Sequence, residues 1–123
     1  MRRQMGAATV AALLGAAVVA SGAGAKDGVR VPGTCSKAST SKLKLGREDA
    51  GTEVEFEVDQ NRNGVRWRVV LFRNGIRVAS RAAVTRAPSG SFEARFVTAG
   101  GGRFVARATS PSGEICRAAA STS

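Results

Sequence analysis

Between Thr52 and Arg81 apolar residues recur with period two, interrupted by turn signals and by the apolar run Val69–Phe72. Val54, Phe56 and Val58 fall on one side of the repeat and Glu53, Glu55, Glu57 and Asp59 on the other. After a polar Gln60–Gly64 turn, Trp67, Val69 and Leu71 resume the pattern. Successive side chains of a strand point to opposite faces, so this spacing fits half-buried strands and no helix. Asn74-Gly75 then gives the strongest short hairpin signal, because a type I′ turn needs positive φ at both central residues. The stretch commits the chain to an all-β fold. It also changes charge abruptly: Glu53–Asp59 is acidic, whereas no acid occurs from Gln60 to Phe92.

The flanking sequence extends the same pattern. Seven strands are predicted: Ser41–Arg47, Thr52–Asp59, Val65–Arg73, Ile76–Thr85, Ser91–Val97, Arg103–Thr109 and Glu114–Ala120. Leu43 and Leu45, Phe92, Ala94 and Phe96, and Phe104, Ala106 and Ala108 are their inward residues, with the only tryptophan, Trp67, as the core anchor. Gly, Asn, Pro and Ser clusters separate the strands, and Ala118–Ser123 is expected to fray. Seven short strands at intervals of about 8 to 12 residues point to a single immunoglobulin-like β-sandwich of antiparallel strands. In the usual partition, strands one, two and five share one sheet and strands three, four, six and seven the other. The Asn74-Gly75 turn places Phe72 opposite Arg77, Leu71 opposite Val78 and Arg68 opposite Arg81.

The amino terminus has its own composition. Met1-Arg2-Arg3-Gln4 precedes an uncharged Ala/Leu/Val run over Gly6–Ala20, and Ala23-Gly24-Ala25 offers small residues at a signal-peptidase site. The run is short and poor as a membrane span. Residues 1–25 are therefore read as a cleaved secretory signal, 26–40 as an extended arm carrying Cys35, and 41–120 as the sandwich. In an exported chain the only cysteines, Cys35 and Cys116, form a disulfide sooner than a metal or redox centre. The staple ties the arm to the last strand. The expected location is outside the cell or at its wall, with no stable membrane span after cleavage.

The stretch V-E-F-E-V-D-Q-N-R-N-G-V-R-W-R-V-V-L-F-R-N-G, with R-A-P-S-G-S-F-E-A-R further on, resembles small secreted actinobacterial proteins of unknown function. The resemblance implies the sandwich and the terminal disulfide, and brings no activity or site residues.

Catalysis lacks its usual parts. The chain has no His and no Tyr, the commonest general base and a frequent acid. No cofactor or metal site is expected; Asp59–Gly64 departs from a calcium loop at Gln60 and Arg62 and lacks the closing Glu. A non-enzyme is the reading. Charge is more informative. Setting aside Arg2 and Arg3 leaves 17 of the 19 basic residues against all 9 acids, a net charge of +8. The first sheet's outer face mixes Lys42, Lys44, Glu93 and Arg95 with the acids of the second strand. The second exposes Arg66, Arg68, Arg77, Arg81, Arg103 and Arg107 around Val70 and Phe72, with no acid. This is the candidate anion-binding face, for an anionic cell-surface polymer or an acidic protein, since guanidinium forks match phosphate and carboxylate. Sequence-specific nucleic-acid reading is not expected without a recognition helix. Two other readings stay open: solvated Arg in an Arg-biased composition, and an inhibitor or effector presenting Asn61–Gly64 or Arg86–Gly90 to an extracellular enzyme.

Overall fold

The computed structural model describes residues 28–122, so the signal expected over residues 1–25 lies outside the described residues. Nine strands and no helix occur among them: β1 Val29–Pro32, β2 Thr34–Cys35, β3 Thr40–Glu48, β4 Gly51–Asp59, β5 Arg66–Arg73, β6 Ile76–Val84, β7 Ser91–Ala99, β8 Arg103–Thr109 and β9 Ile115–Ser121. Strands β3 to β9 are the seven expected from the sequence, each within two residues of its predicted ends. They form two antiparallel sheets, β1-β3-β4-β7 and β2-β9-β8-β5-β6. The expected partition holds.

The inward residues of both sheets meet in one core. Trp67, Phe56, Phe104, Leu43 and Leu71 are fully buried, with Phe92 and Phe96 nearly so. Every one sits at an inward position of the period-two repeat, so removal of apolar surface from water fixes which face of each strand points in. Trp67 lies across from Phe92 with ring centroids 5.9 Å apart. Its Nε1–H donates to Gln60 Oε1 at 3.1 Å, satisfying the one polar atom of an otherwise apolar anchor.

Three expectations are sharpened or corrected. The extended arm expected over residues 26–40 is itself part of both sheets. Val29–Pro32 pairs with β3 and Thr34–Cys35 pairs with β9, so the arm crosses from one sheet to the other at Gly33. A Cβ at Gly33 would lie 2.7 Å from the Arg117 carbonyl oxygen and 2.3 Å from Ser41 Oγ, so only glycine fits the crossing. Second, the chain does not fray from Ala118. β9 pairs with β8 through Ser121, opposite Arg103, and Thr122 N donates to the Gly102 carbonyl at 3.0 Å.

The third correction concerns register. Asn74 and Gly75 have φ of 51° and 83°, as a primed turn requires, and Phe72 does face Arg77. A β-bulge then leaves Val78 unpaired, so Leu71 faces Ala79, Val69 faces Arg81 and Arg68 faces Ala82. One extra residue sends every later side chain of β6 to the opposite face. Arg81 thus leaves the outer face and turns to the inner side, where its guanidinium lies 4.5 Å from the centre of the Phe96 ring.

Cys35 and Cys116 are directly opposite on β2 and β9 and form the disulfide, 81 residues apart in sequence. Closing a loop of that length contributes about 4 kcal/mol in the chain-entropy model. Cys35→Ser should therefore lower the melting temperature by roughly 15 °C or more, and reductant should do the same to the wild-type chain. A melt that reductant leaves unmoved would show that the staple adds no stability.

Candidate anion-binding face

The outer face of the five-stranded sheet is a grid set by register. One row runs Thr34, Arg117, Arg107, Val70, Ser80 across β2, β9, β8, β5 and β6. Toward one end, Arg68 stands between Thr109 and Ala82, and Arg66 lies beyond it opposite Val84. Toward the other end, Phe72 lies between Val105 and Arg77. Arg103 follows, its N–H donating to Asn74 Oδ1 at 2.9 Å.

Of the six sequence-predicted arginines, the structure brings five to this face: Arg66, Arg68, Arg77, Arg103 and Arg107. Arg81 is lost to the inner side. Arg117 replaces it, and the sequence reading missed it. Its signal was present, since it sits between the inward residues Cys116 and Ala118. Arg107 and Arg117 are register partners, with Cα atoms about 5 Å apart by strand geometry. Like charges directly opposite destabilise a sheet. No carboxylate occupies an outward position of this sheet among the described residues, and none of its six arginines forms an ion pair with a described acid.

Local contacts hold some of these side chains. Arg68 Nη1 donates to Ser80 Oγ at 2.9 Å. The Arg107 guanidinium stands 5.8 Å from the centre of the Phe72 ring. Val70 points outward yet is only 8% exposed, so the long stems around it lie down over an apolar floor.

The opposite face differs in kind. Lys42 Nζ pairs with Glu57 Oε1 and Lys44 Nζ with Glu55 Oε1, both at 3.3 Å, and Arg95 pairs with Glu53. Arg30, Lys42, Lys44, Glu55, Glu57 and Glu93 line a shallow depression there, three charges against three. Glu57 and Glu93 are nevertheless register partners. Partial desolvation, then the Glu55 and Glu57 carboxylates, hold the Glu93 carboxyl above its ordinary range, while Lys44 opposes them.

Glu114 is a functional-looking residue with a structural task. Its carboxylate comes within 4.8 Å of both cysteine sulfurs, a grouping that could hold a metal ion. The sulfurs are bonded to each other, however. The carboxylate Oε2 accepts from Lys37 N at 3.2 Å and Ser39 N at 3.0 Å, and Oε1 from Ser39 Oγ at 2.8 Å. It fastens the Ser36–Ser39 loop beside the disulfide. The two turns open to an inhibitor reading also pack together: Gln60 N donates to the Gly90 carbonyl at 3.0 Å, and a Cβ at Gly90 would strike Arg62 N at 2.1 Å.

Comparison with protein-family models, with curated protein sequences and with solved structures finds no match to this chain.

Two outcomes follow from the face assignments. Arg81→Ala should cost about 1 kcal/mol in urea unfolding, because it removes the cation over Phe96 from a side chain that is still solvent-exposed; an unchanged midpoint would show that the contact adds no stability. For Glu93, a folded pKa above the unfolded one means its contribution to stability is present below the unfolded value and lost as pH rises through the folded value. Glu93→Gln should therefore be slightly more stable than wild type at neutral pH, with the gap closing as pH falls below the ordinary glutamate range. A gap that widens in acid would reverse the assignment.

Proposed function

We propose that this chain is a secreted, non-enzymatic binding module of immunoglobulin-like topology, stapled by its disulfide, whose Arg-rich outer face docks an anionic partner outside the cell. The observation that carries the reading is the Arg107–Arg117 register pair on a face without a single carboxylate among the described residues. Such a pair costs the free protein stability, and an anion seated over it removes the cost. The contrast between faces supports it further. Where acids are available, as on β4, cations stand against them at 3.3 Å; where six arginines gather, none is ion-paired with a described acid.

The topology part rests on strand order. The seven long strands divide as β3-β4-β7 and β9-β8-β5-β6, a Greek-key arrangement in which the first hairpin crosses to the second sheet at Gln60–Val65. Export is supported by the Ala-rich leader sequence and by a disulfide that would be reduced in most cytosols. Among the described residues no helix is long and apolar enough to cross a membrane. The non-enzymatic reading is supported by the missing His and Tyr and by the engagement of Glu114, the only buried carboxylate among the described residues, in loop anchoring.

Retention on immobilised heparin or polyphosphate tests the reading. The folded domain should bind at about 50 mM salt and elute as counterions screen the contact. Arg107→Gln/Arg117→Gln should elute at distinctly lower salt with an unchanged or raised melting temperature. Flow-through of the wild type at low salt would sink the proposal.

A further inference from the structure

The geometry points to a particular class of anion: a linear phosphate polymer without bases, such as a polyol-phosphate chain, laid along a track of Arg117, Arg107, Arg68 and Arg66. This rests on the anion-binding reading above and gives it a ligand shape. Arg117 and Arg107 are neighbours in one row, Val70 continues that row on β5, and Arg68 and Arg66 lie two and four residues back along the same strand. From the strand spacing and the rise per residue, the track runs diagonally over roughly 17 Å.

The other two arginines do not belong to it. Ala119, Val105 and Phe72 form an apolar row across β9, β8 and β5, and Arg77 and Arg103 stand at its far side and end. A single small anion would use only the adjacent Arg107 and Arg117 and leave Arg66 idle. A folded acidic partner would cover the apolar row and engage Arg77 and Arg103 as strongly as the rest. A flexible chain with one charge per repeat can follow the line and ignore the remainder.

The absence of bases follows from the aromatic side chains. Single-stranded nucleic acids are held by stacking on open rings. Trp67 is fully buried, and half-buried Phe72 already carries Arg107 over its ring, so no open ring of the described residues faces outward beside the track. Arg68 is meanwhile steadied by Ser80 with other guanidinium donors left over, and a planar fork meets a phosphate with two hydrogen bonds.

The test is the salt dependence of binding to inorganic polyphosphate and to a synthetic polyol-phosphate oligomer, read by titration of the intact domain. Four phosphate contacts on a flexible chain give a slope of log K against log salt of about −2.8. Arg68→Gln/Arg107→Gln should reduce it to about −1.4, whereas Arg77→Gln/Arg103→Gln should leave it nearly unchanged. Melting curves confirm that both variants fold. Orthophosphate should bind far more weakly than either polymer. Equal losses from the two double variants would overturn the track while leaving the anion-binding face intact. An oligothymidylate that binds more tightly than polyphosphate of equal charge would overturn the assignment to a polymer without bases. No binding by any polyanion at low salt would remove the anion-binding reading and this one together.

Discussion

The structure depends on how the two sheets are tied along one side. The arm crosses at Gly33, pairing with β3 before the crossing and with β9 after it, and the Cys35–Cys116 bond locks the second pairing. Without that crossing, β9 would be an unprotected edge and the two sheets would be held there by side-chain packing alone. Glu114 reinforces the same corner from inside, since its carboxylate takes three donors from the Ser36–Ser39 loop that follows the cysteine. Backbone pairing, a covalent bond and a buried carboxylate converge on one seam. A core of this size leaves little stability to spare, so the concentration of constraints there sets how firmly the rest is held.

The other side is closed differently. β6 and β7 are the edges of their sheets, and among the described residues only the Arg86–Ser91 bridge at the β6–β7 turn links their backbones. Arg81 covers the gap by laying its stem and guanidinium over Phe96. The bulge at Val78 makes this possible, because it moves Arg81 from the outward to the inward phase of the strand. Ile76 and Val78 stay exposed at 68% and 46%, yet a bulged edge that bears Arg77 and Arg81 is a poor template for another strand. The basic face and the closed edge are thus set by one irregularity.

Much of this is legible in the sequence. Period-two burial names nearly every core residue, because apolar surface has only one place to go in a two-layer fold, and the usual partition of immunoglobulin-like sandwiches gives the division of β3 to β9 between sheets. The hidden parts have physical reasons. Val29–Pro32 and Thr34–Cys35 are short, broken by Pro32 and Gly33, and gain their strand character from the partners they meet on β3 and β9 rather than from their own residues. The bulge leaves no local mark: Arg-Val-Ala-Ser-Arg alternates as well in either register. Arg81 was misplaced by that one residue. Arg117 was overlooked although its neighbours Cys116 and Ala118 are both inward. Glu114 carries no sequence signal beyond opening the last predicted strand, and only its three donors, reaching across 75 residues of sequence and more, reveal its work.

The bulge also ties the hairpin to residues outside it. The Asn74-Gly75 turn taken alone is compatible with an unbroken hairpin in which Arg68 meets Arg81. In the folded protein the bulged pairing sets Ala79 and Ala83 against the core and the Arg81 guanidinium over Phe96, and it separates Arg68 from Arg81. The alignment of β5 with β6 is thus matched to side chains that neither strand supplies.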